Sequence, residues 1–180
     1  MERWDIYNID RQKTGRTMLR GERMAKDDYH LVAHVCLFNE KGEMLIQQRS
    51  ASKSTWANRW DLTVGGSALS GETSRDAAQR ELKEELGVEY DFSRCRPNLT
   101  MQFDHGDRGF DDIYLIDFTP EQFCLQPEEV QAVRWASREE ILKAIREGSF
   151  APYHEDLIRL LFALRGRWSS ATEQYKEEAP

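Results

Sequence analysis

Residues 66–88 read GSALSGETSRDAAQRELKEELGV, and the second half of this stretch predicts one helix. Thr73 is a good N-cap, and Asp76 three residues on completes a capping-box pair. Gly87 after Leu86 is a C-terminal stop. With successive residues about 100° apart around the axis, Glu81, Glu84 and Glu85 share one face. Ala78, Leu82 and Leu86 form the adjoining apolar face, suited to packing on a sheet. Three carboxylates on one face repel one another and weaken the helix. That arrangement makes physical sense when hard cations sit on it. Mg²⁺ and Mn²⁺ prefer carboxylate oxygen and bring phosphate-bearing substrates with them. Taken alone, an E-L-K-E-E string reads as a solvated surface face; its neighbours change that weighing.

Gly66 precedes Glu72 by six positions, and Glu72 precedes Arg80 by eight. Arg80-Glu81-Leu82 is followed by Glu84-Glu85 and then by Gly87-Val88. The pattern resembles the signature of the Nudix hydrolases, G-x5-E-x7-R-E-U-x-E-E-x-G-U with U aliphatic, at every fixed position. So many fixed residues at fixed spacing make a specific motif. The resemblance implies an α/β/α sandwich built on a mixed sheet. It also implies Mg²⁺ or Mn²⁺ held by Glu81, Glu84, Glu85 and the carbonyl of Gly66, with water as the nucleophile toward a diphosphate. Arg80 is expected to orient the glutamates through a bidentate ion pair, and Glu72 to be structural. In the family a signature glutamate or an acid on a later loop takes the water proton. Glu81 is favoured here, with Asp112, Glu128 and Glu129 as alternatives.

The chain has 180 residues, 39% hydrophobic and 32% charged, an ordinary composition for one globular domain. A net charge of −7 argues against duplex nucleic acid as a main partner, because phosphate backbones call for a basic footprint. It leaves room for a small phosphorylated ligand held through metal. The N-terminus MERWDIYNID carries charges where a signal peptide needs an apolar core, and no apolar run is long enough to span a bilayer. Cys36, Cys95 and Cys124 lie far apart without C-x-x-C spacing, which suits reduced thiols and a cytoplasmic setting. Nothing in the sequence fixes a homo-oligomeric state.

Residues 1–168 are expected to form the single domain, with 1–24 as an N-terminal β-hairpin extension and 169–180 as a flexible tail. In the hairpin, Asn8–Gly15 holds turn formers and Arg16–Met24 is the return strand. His30–Phe38 is apolar and β-branched, as in a buried central strand. Asn39–Gly42 is a turn, Glu43–Arg49 the partner strand and Ser50–Asn58 a polar loop. Trp60–Leu69 is one strand feeding the helix, where Gly65-Gly66 lets backbone approach a ligand. Asn98–His105 and Phe110–Phe118 are strands about a Gly106–Gly109 turn. Val130–Trp135 is a short strand. Ser137, with Glu140, caps a helix to Glu147, and His154–Leu164 is the last helix, with leucines on one stripe. Such an order gives a mixed sheet covered on both faces.

A second resemblance lies upstream of the signature. HLVAHVCLFNEKGEMLIQQRSASKSTWANRW, residues 30–60, is similar to the corresponding stretch of the isopentenyl-diphosphate isomerases, which share the Nudix fold. It implies that Arg49 and Lys53 hold the diphosphate. His30 matches one of the isomerases' three metal-binding histidines; the others fall on Arg23 and Gly66. Their reactive cysteine falls on Val64, and their paired glutamates on Phe110 and Asp112. The isomerase residues are therefore largely missing while the hydrolase signature is whole. His30 and His34 are expected as core histidines. Either Asp111 or Asp112 is expected to face the site, with Asp112 taken as a substrate-binding residue. Trp56 and Trp60 could wall a pocket, stack on a base or pack in the core. The reading is a hydrolase of the isomerase-like branch that cleaves a diphosphate linkage in a small molecule, a nucleoside diphosphate derivative. Its alternatives are an isomerase-like enzyme and a non-catalytic nucleotide-sensing module.

Overall fold

The structure is a computed structural model and describes residues 2–167. The expected tail, 169–180, and the expected domain limit at 168 lie outside these residues. Strands β1 (Arg3–Tyr7) and β2 (Lys13–Leu19) form a separate antiparallel hairpin. The main sheet is built on β3 (His30–Phe38), whose alternation places Leu31, Ala33, Val35 and Leu37 in one core and Cys36 and Phe38 in the other. Nine residues of β3 run parallel to β8 (Asp107–Asp117), which pairs in turn with β7 (Leu99–His105). On its other edge β3 pairs antiparallel with β6 (Val64–Ser67) and meets β4 (Met44–Arg49) through Phe38 opposite Met44. β4 continues the sheet to β5 (Trp60–Asp61) and β9 (Val130–Ala136).

Helix α1 (Ser74–Leu86) covers one face of this sheet, and α2 (Arg138–Arg146) with α3 (Glu155–Leu164) covers the other. The result is the α/β/α sandwich with a mixed sheet. α1 starts and stops on its own sequence signals. Thr73 and Asp76 form the reciprocal capping box, and Gly87 closes the helix at φ 67°. Its fully buried Ala77, Ala78, Leu82 and Leu86 press onto the sheet. Each of these leucines contributes roughly 1.5–3 kcal/mol on burial. Glu81 and Glu85, on the neighbouring face, are thereby turned toward β6 and β4.

Three boundaries differ from expectation. The hairpin turn is tighter than Asn8–Gly15, because Asn8 Oδ1 accepts from Gln12 N at 2.9 Å and Arg11 adopts a left-handed backbone. β2 therefore begins at Lys13 and ends at Leu19 rather than running Arg16–Met24. Gly106 alone makes the β7–β8 turn, so β8 starts at Asp107, not Phe110. The expected Trp60–Leu69 strand is two strands with different neighbours, β5 on β4 and β6 on β3. Thr63 sits at the break, fully buried. Its hydroxyl accepts from Leu37 N on β3 at 3.0 Å and donates to Leu45 O on β4 at 2.5 Å. It bridges the two strands where they diverge. Among the described residues, no helix is long and apolar enough to cross a membrane.

Candidate active site

The glutamate face of α1 looks across a cleft of about 250 Å³ at β3, β6 and the Arg49–Lys53 segment. A Cβ at Gly66 would lie 2.0 Å from Glu81 Oε1, so a side chain there would push the Glu81 carboxylate out of its present place. Gly65 is required by His34, whose Nδ1 would be 2.3 Å from an added Cβ. The glycine pair therefore gives its space to two cleft side chains, beyond any room it offers a ligand.

Arg80 organises the carboxylates. Its Nε and Nη2 grip both oxygens of Glu72 at 2.8 and 3.0 Å, and Nη2 also donates to Ser67 O at 3.1 Å. Nη1 donates to Glu81 at 2.7 Å and to Glu84 at 3.2 Å. The bidentate pair thus falls on Glu72, and the two cleft glutamates share the remaining nitrogen. Glu72 is itself fixed by Leu69 N at 2.8 Å. The expected positioning role of Arg80 and structural role of Glu72 have a common geometry here.

The three glutamates sit in different surroundings. Glu84 is half exposed. Glu81 is largely buried; burial pushes its carboxyl above the ordinary range, against the opposing pull of Arg80. Glu85 is buried and accepts from Gln47 Nε2 at 2.9 Å; burial first, then the charge of Glu81, lift it to about 8. Two adjacent carboxylates short of solvent are a site that a cation would relieve. The donors are all oxygen, which suits a hard divalent ion. Among the described residues no three His, Cys, Asp or Glu side chains already converge on one point. Glu81 and Glu84 instead face Arg80, so a cation would compete with the guanidinium for them.

Opposite the glutamates, Arg49 and Lys53 both line the cleft. Arg49 is held by Asp61 at 3.1 Å and by Thr55 O at 3.1 Å, and Lys53 is paired with Glu129, which also lines the cleft. Glu128 is not part of the lining; its carbonyl accepts from Ser52 Oγ at 3.2 Å.

Asp112 requires a correction. It is buried on the α1 side of β8, between Arg11 of the hairpin turn and Thr100 Oγ1 at 2.6 Å. It is absent from the cleft, so neither substrate contact nor proton transfer fits its position. Strand alternation turns its neighbour Asp111 the other way, 3.6 Å from His34 Nε2. The histidine expectation also splits. His30 is a core residue, stacked on Trp4 at 4.4 Å and edge-on to Phe103, with burial lowering its pKa. His34 instead lines the cleft. Burial alone would lower its pKa, but the neighbouring carboxylate of Asp111 outweighs that and raises it.

Glu2, Arg20 and Gln126 line the cleft and escaped the sequence reading. Glu2 and Arg20, paired at 2.9 Å at the ends of the hairpin, stand at the rim of the cleft. No motif marks them, because the docking of a separate hairpin brings them there. Gln47, which holds Glu85 from β4, reads in sequence as an ordinary strand residue.

Comparison with known proteins accords with this geometry. The NUDIX domain model matches residues 28–161. A protein of Listeria innocua described as an uncharacterized Nudix hydrolase is 46% identical over 167 residues, covering 92% of this chain and 96% of its own. An isopentenyl-diphosphate Delta-isomerase of Halobacterium salinarum is 29% identical over 142 residues, covering 71% of this chain and 65% of its own. A crystal structure of a Deinococcus radiodurans protein superposes with a TM-score of 0.69 at 28% identity, covering 89% of this chain and 97% of that one. The intact signature on α1 and a family match over most of the described residues make this chain a member of the Nudix family, a hydrolase acting on pyrophosphate bonds.

Proposed function

We propose that the protein cleaves the diphosphate linkage of a small nucleoside diphosphate derivative with the help of Mg²⁺ or Mn²⁺, in the cytoplasm. The observation that carries this reading is the row of α1 carboxylates facing Arg49 and Lys53 across one cleft. A diphosphate lying there meets cations on one side and carboxylates on the other. That division suits an anionic substrate held on a carboxylate-bound divalent ion. Glu81, Glu84, Glu85 and the Gly66 carbonyl would hold the ion. When bound, it lowers the pKa of a water and neutralises charge on the diphosphate oxygens.

Arg49 and Lys53 orient the diphosphate and meet the charge that grows on the bridging oxygen. Arg80 positions Glu81 and Glu84. Glu81, which lines the cleft beside Glu84 and Glu85, accepts the proton of the attacking water. Glu129 is the alternative base, since it too lines the cleft. The indole of Trp56, partly exposed near the cleft, offers a flat surface on which a base can stack. Three free cysteines support the cytoplasmic setting.

An isomerase reading lacks its chemistry. Val64 has no ionisable proton, Gly66 offers no side-chain ligand, and Phe110 packs on Tyr29 in the core at 5.2 Å. The test is a panel of nucleoside di- and triphosphates, nucleoside-diphosphate sugars, dinucleoside polyphosphates and prenyl diphosphates, with Mg²⁺ and with Mn²⁺. Release of phosphate or of a monophosphate from a nucleoside diphosphate derivative is expected, with isopentenyl diphosphate left unisomerised. Tight binding across the panel without any release would instead establish a sensor, and dimethylallyl signals in the proton NMR spectrum an isomerase.

A further inference from the structure

The N-terminal hairpin meets the active site a second time, away from the cleft rim. Asp5 of β1 lies against the loop that leads from β6 into α1. Its Oδ1 accepts from Ser70 Oγ at 2.7 Å, and its Oδ2 accepts from Gly71 N at 3.0 Å and from Lys13 Nζ at 2.6 Å. The surrounding residues add to this grip. Arg3 O accepts from Ser70 N at 2.7 Å, and Lys13 Nζ also donates to Glu72 O at 3.4 Å. Leu69 of the same loop packs against the small cluster of Trp4, Ile6 and Met18. Burial works against the charge of Asp5, yet Lys13, Gly71 N and Ser70 hold its carboxyl down at about 2. Asp5 is therefore an anion throughout the neutral range.

The residue next to this grip is Glu72. Its two oxygens accept from Arg80 Nε and Nη2 at 2.8 and 3.0 Å. Those nitrogens are thereby kept from Glu81 and Glu84, which share Nη1 alone. A cation entering among the α1 carboxylates then competes with one guanidinium nitrogen. If the loop drifts, Glu72 drifts with it, and the freed guanidinium can pair bidentately with the carboxylates instead. The hairpin itself stays docked without Asp5. Tyr7 and Tyr29 exchange backbone hydrogen bonds at 2.8 and 3.0 Å, Trp4 stacks on His30, and Arg16 Nη1 donates to Asp28 at 2.9 Å.

We propose that Asp5 is a positioning residue of the active site: by clamping the loop it fixes Glu72, and so keeps two nitrogens of Arg80 away from the carboxylates that take the divalent ion. The inference rests on the reading of Glu81, Glu84 and Glu85 as the carboxylates that hold that ion. It makes the hairpin, which lies ahead of the family match at residues 28–161, a determinant of metal affinity.

The probe is Mn²⁺ alone. Its free concentration is followed by electron paramagnetic resonance as the full chain is titrated, with melting temperature as the check on folding. Asp5→Ala should raise the Mn²⁺ Kd about tenfold, the lower end of what an outer partner of metal ligands contributes. Ser70→Ala, at an exposed position, removes one donor to Asp5 and should raise it about two- to threefold. Arg16→Ala loosens the hairpin without touching the loop and should leave the Kd unchanged. In a Glu72→Gln background the grip on Arg80 is already weakened, and Asp5→Ala should add less than about twofold. The proposal is overturned by an unchanged Kd in Asp5→Ala, or in Ser70→Ala should Asp5→Ala not fold. An equal loss in Arg16→Ala, or full additivity with Glu72→Gln, overturns it as well. Glu85→Gln separates the clamp from the metal reading. If Glu85→Gln weakens Mn²⁺ binding and Asp5→Ala does not, the metal reading stands and the clamp falls. If neither variant moves the Kd, or the wild type binds no Mn²⁺, both fall.

Discussion

Glu85 couples the site to pH. Its carboxyl is lifted to about 8 by burial and by the charge of Glu81, against about 4.3 for a glutamate in an unfolded chain. The folded protein therefore holds this proton more tightly than the unfolded chain. The resulting stabilisation is complete below about pH 4.3 and is lost as pH rises through about 8. Glu85→Gln cannot ionise. Without metal, its melting temperature relative to wild type should rise steadily from pH 5 to pH 8, by at least roughly 2–4 °C. A constant difference across that range would show that Glu85 titrates normally. At this scale the sequence was legible where chemistry and spacing coincide: Gly66, Glu81, Glu84, Glu85, Arg49 and Lys53 converge on one cleft. It was illegible where strand parity decides. Asp111 and Asp112 are equivalent as letters, and only the pairing of β8 with β3 turns Asp111 toward His34 and Asp112 toward Arg11. The same parity separates His34 from the core role expected of it.

Among the elements, α1 was the most legible because its signals are local. Cap, box and stop occupy the residues they govern, and the acidic and apolar faces follow from helical spacing alone. What local signals do not show is the partner of Arg80. Its guanidinium joins the loop before α1, through Glu72 and Ser67, to the glutamates of the helix. A lysine keeps the charge but cannot reproduce two parallel bonds to Glu72 while reaching Glu81. Arg80→Lys should therefore lower kcat by about 10–100-fold. KM for the diphosphate should change little, because Arg49 and Lys53 are untouched. A rise in KM at constant kcat would instead make Arg80 a substrate contact. The division of 60–69 into β5 and β6 was hidden for a related reason. Trp60, Leu62 and Val64 read as one run of strand formers, and the buried hydroxyl of Thr63 shows its role only once β3 and β4 flank it.

At the scale of the whole molecule, the N-terminal hairpin belongs to the cleft although the family match begins at residue 28. Arg20 reaches the rim as an exposed partner of Glu2, and an incoming diphosphate can exchange that partner. Arg20→Ala should raise KM about five- to tenfold with kcat nearly unchanged, and unaltered steady-state kinetics would confine the hairpin to a structural role. Such long-range assembly is beyond any motif, whereas the sandwich itself followed from the order of strands and helices. In the proposed reaction the α1 carboxylates drive water onto phosphorus. This step is tested most directly by turning over a cleaved diphosphate substrate in ¹⁸O-water with Mg²⁺ and following phosphorus NMR for the wild type, Glu84→Gln and Glu85→Gln. The wild type should place one ¹⁸O on a phosphorus of the products, and each variant should do so at least about 100-fold more slowly while remaining folded. Product formed without ¹⁸O on phosphorus, or labelling at the wild-type rate in both variants, would contradict it.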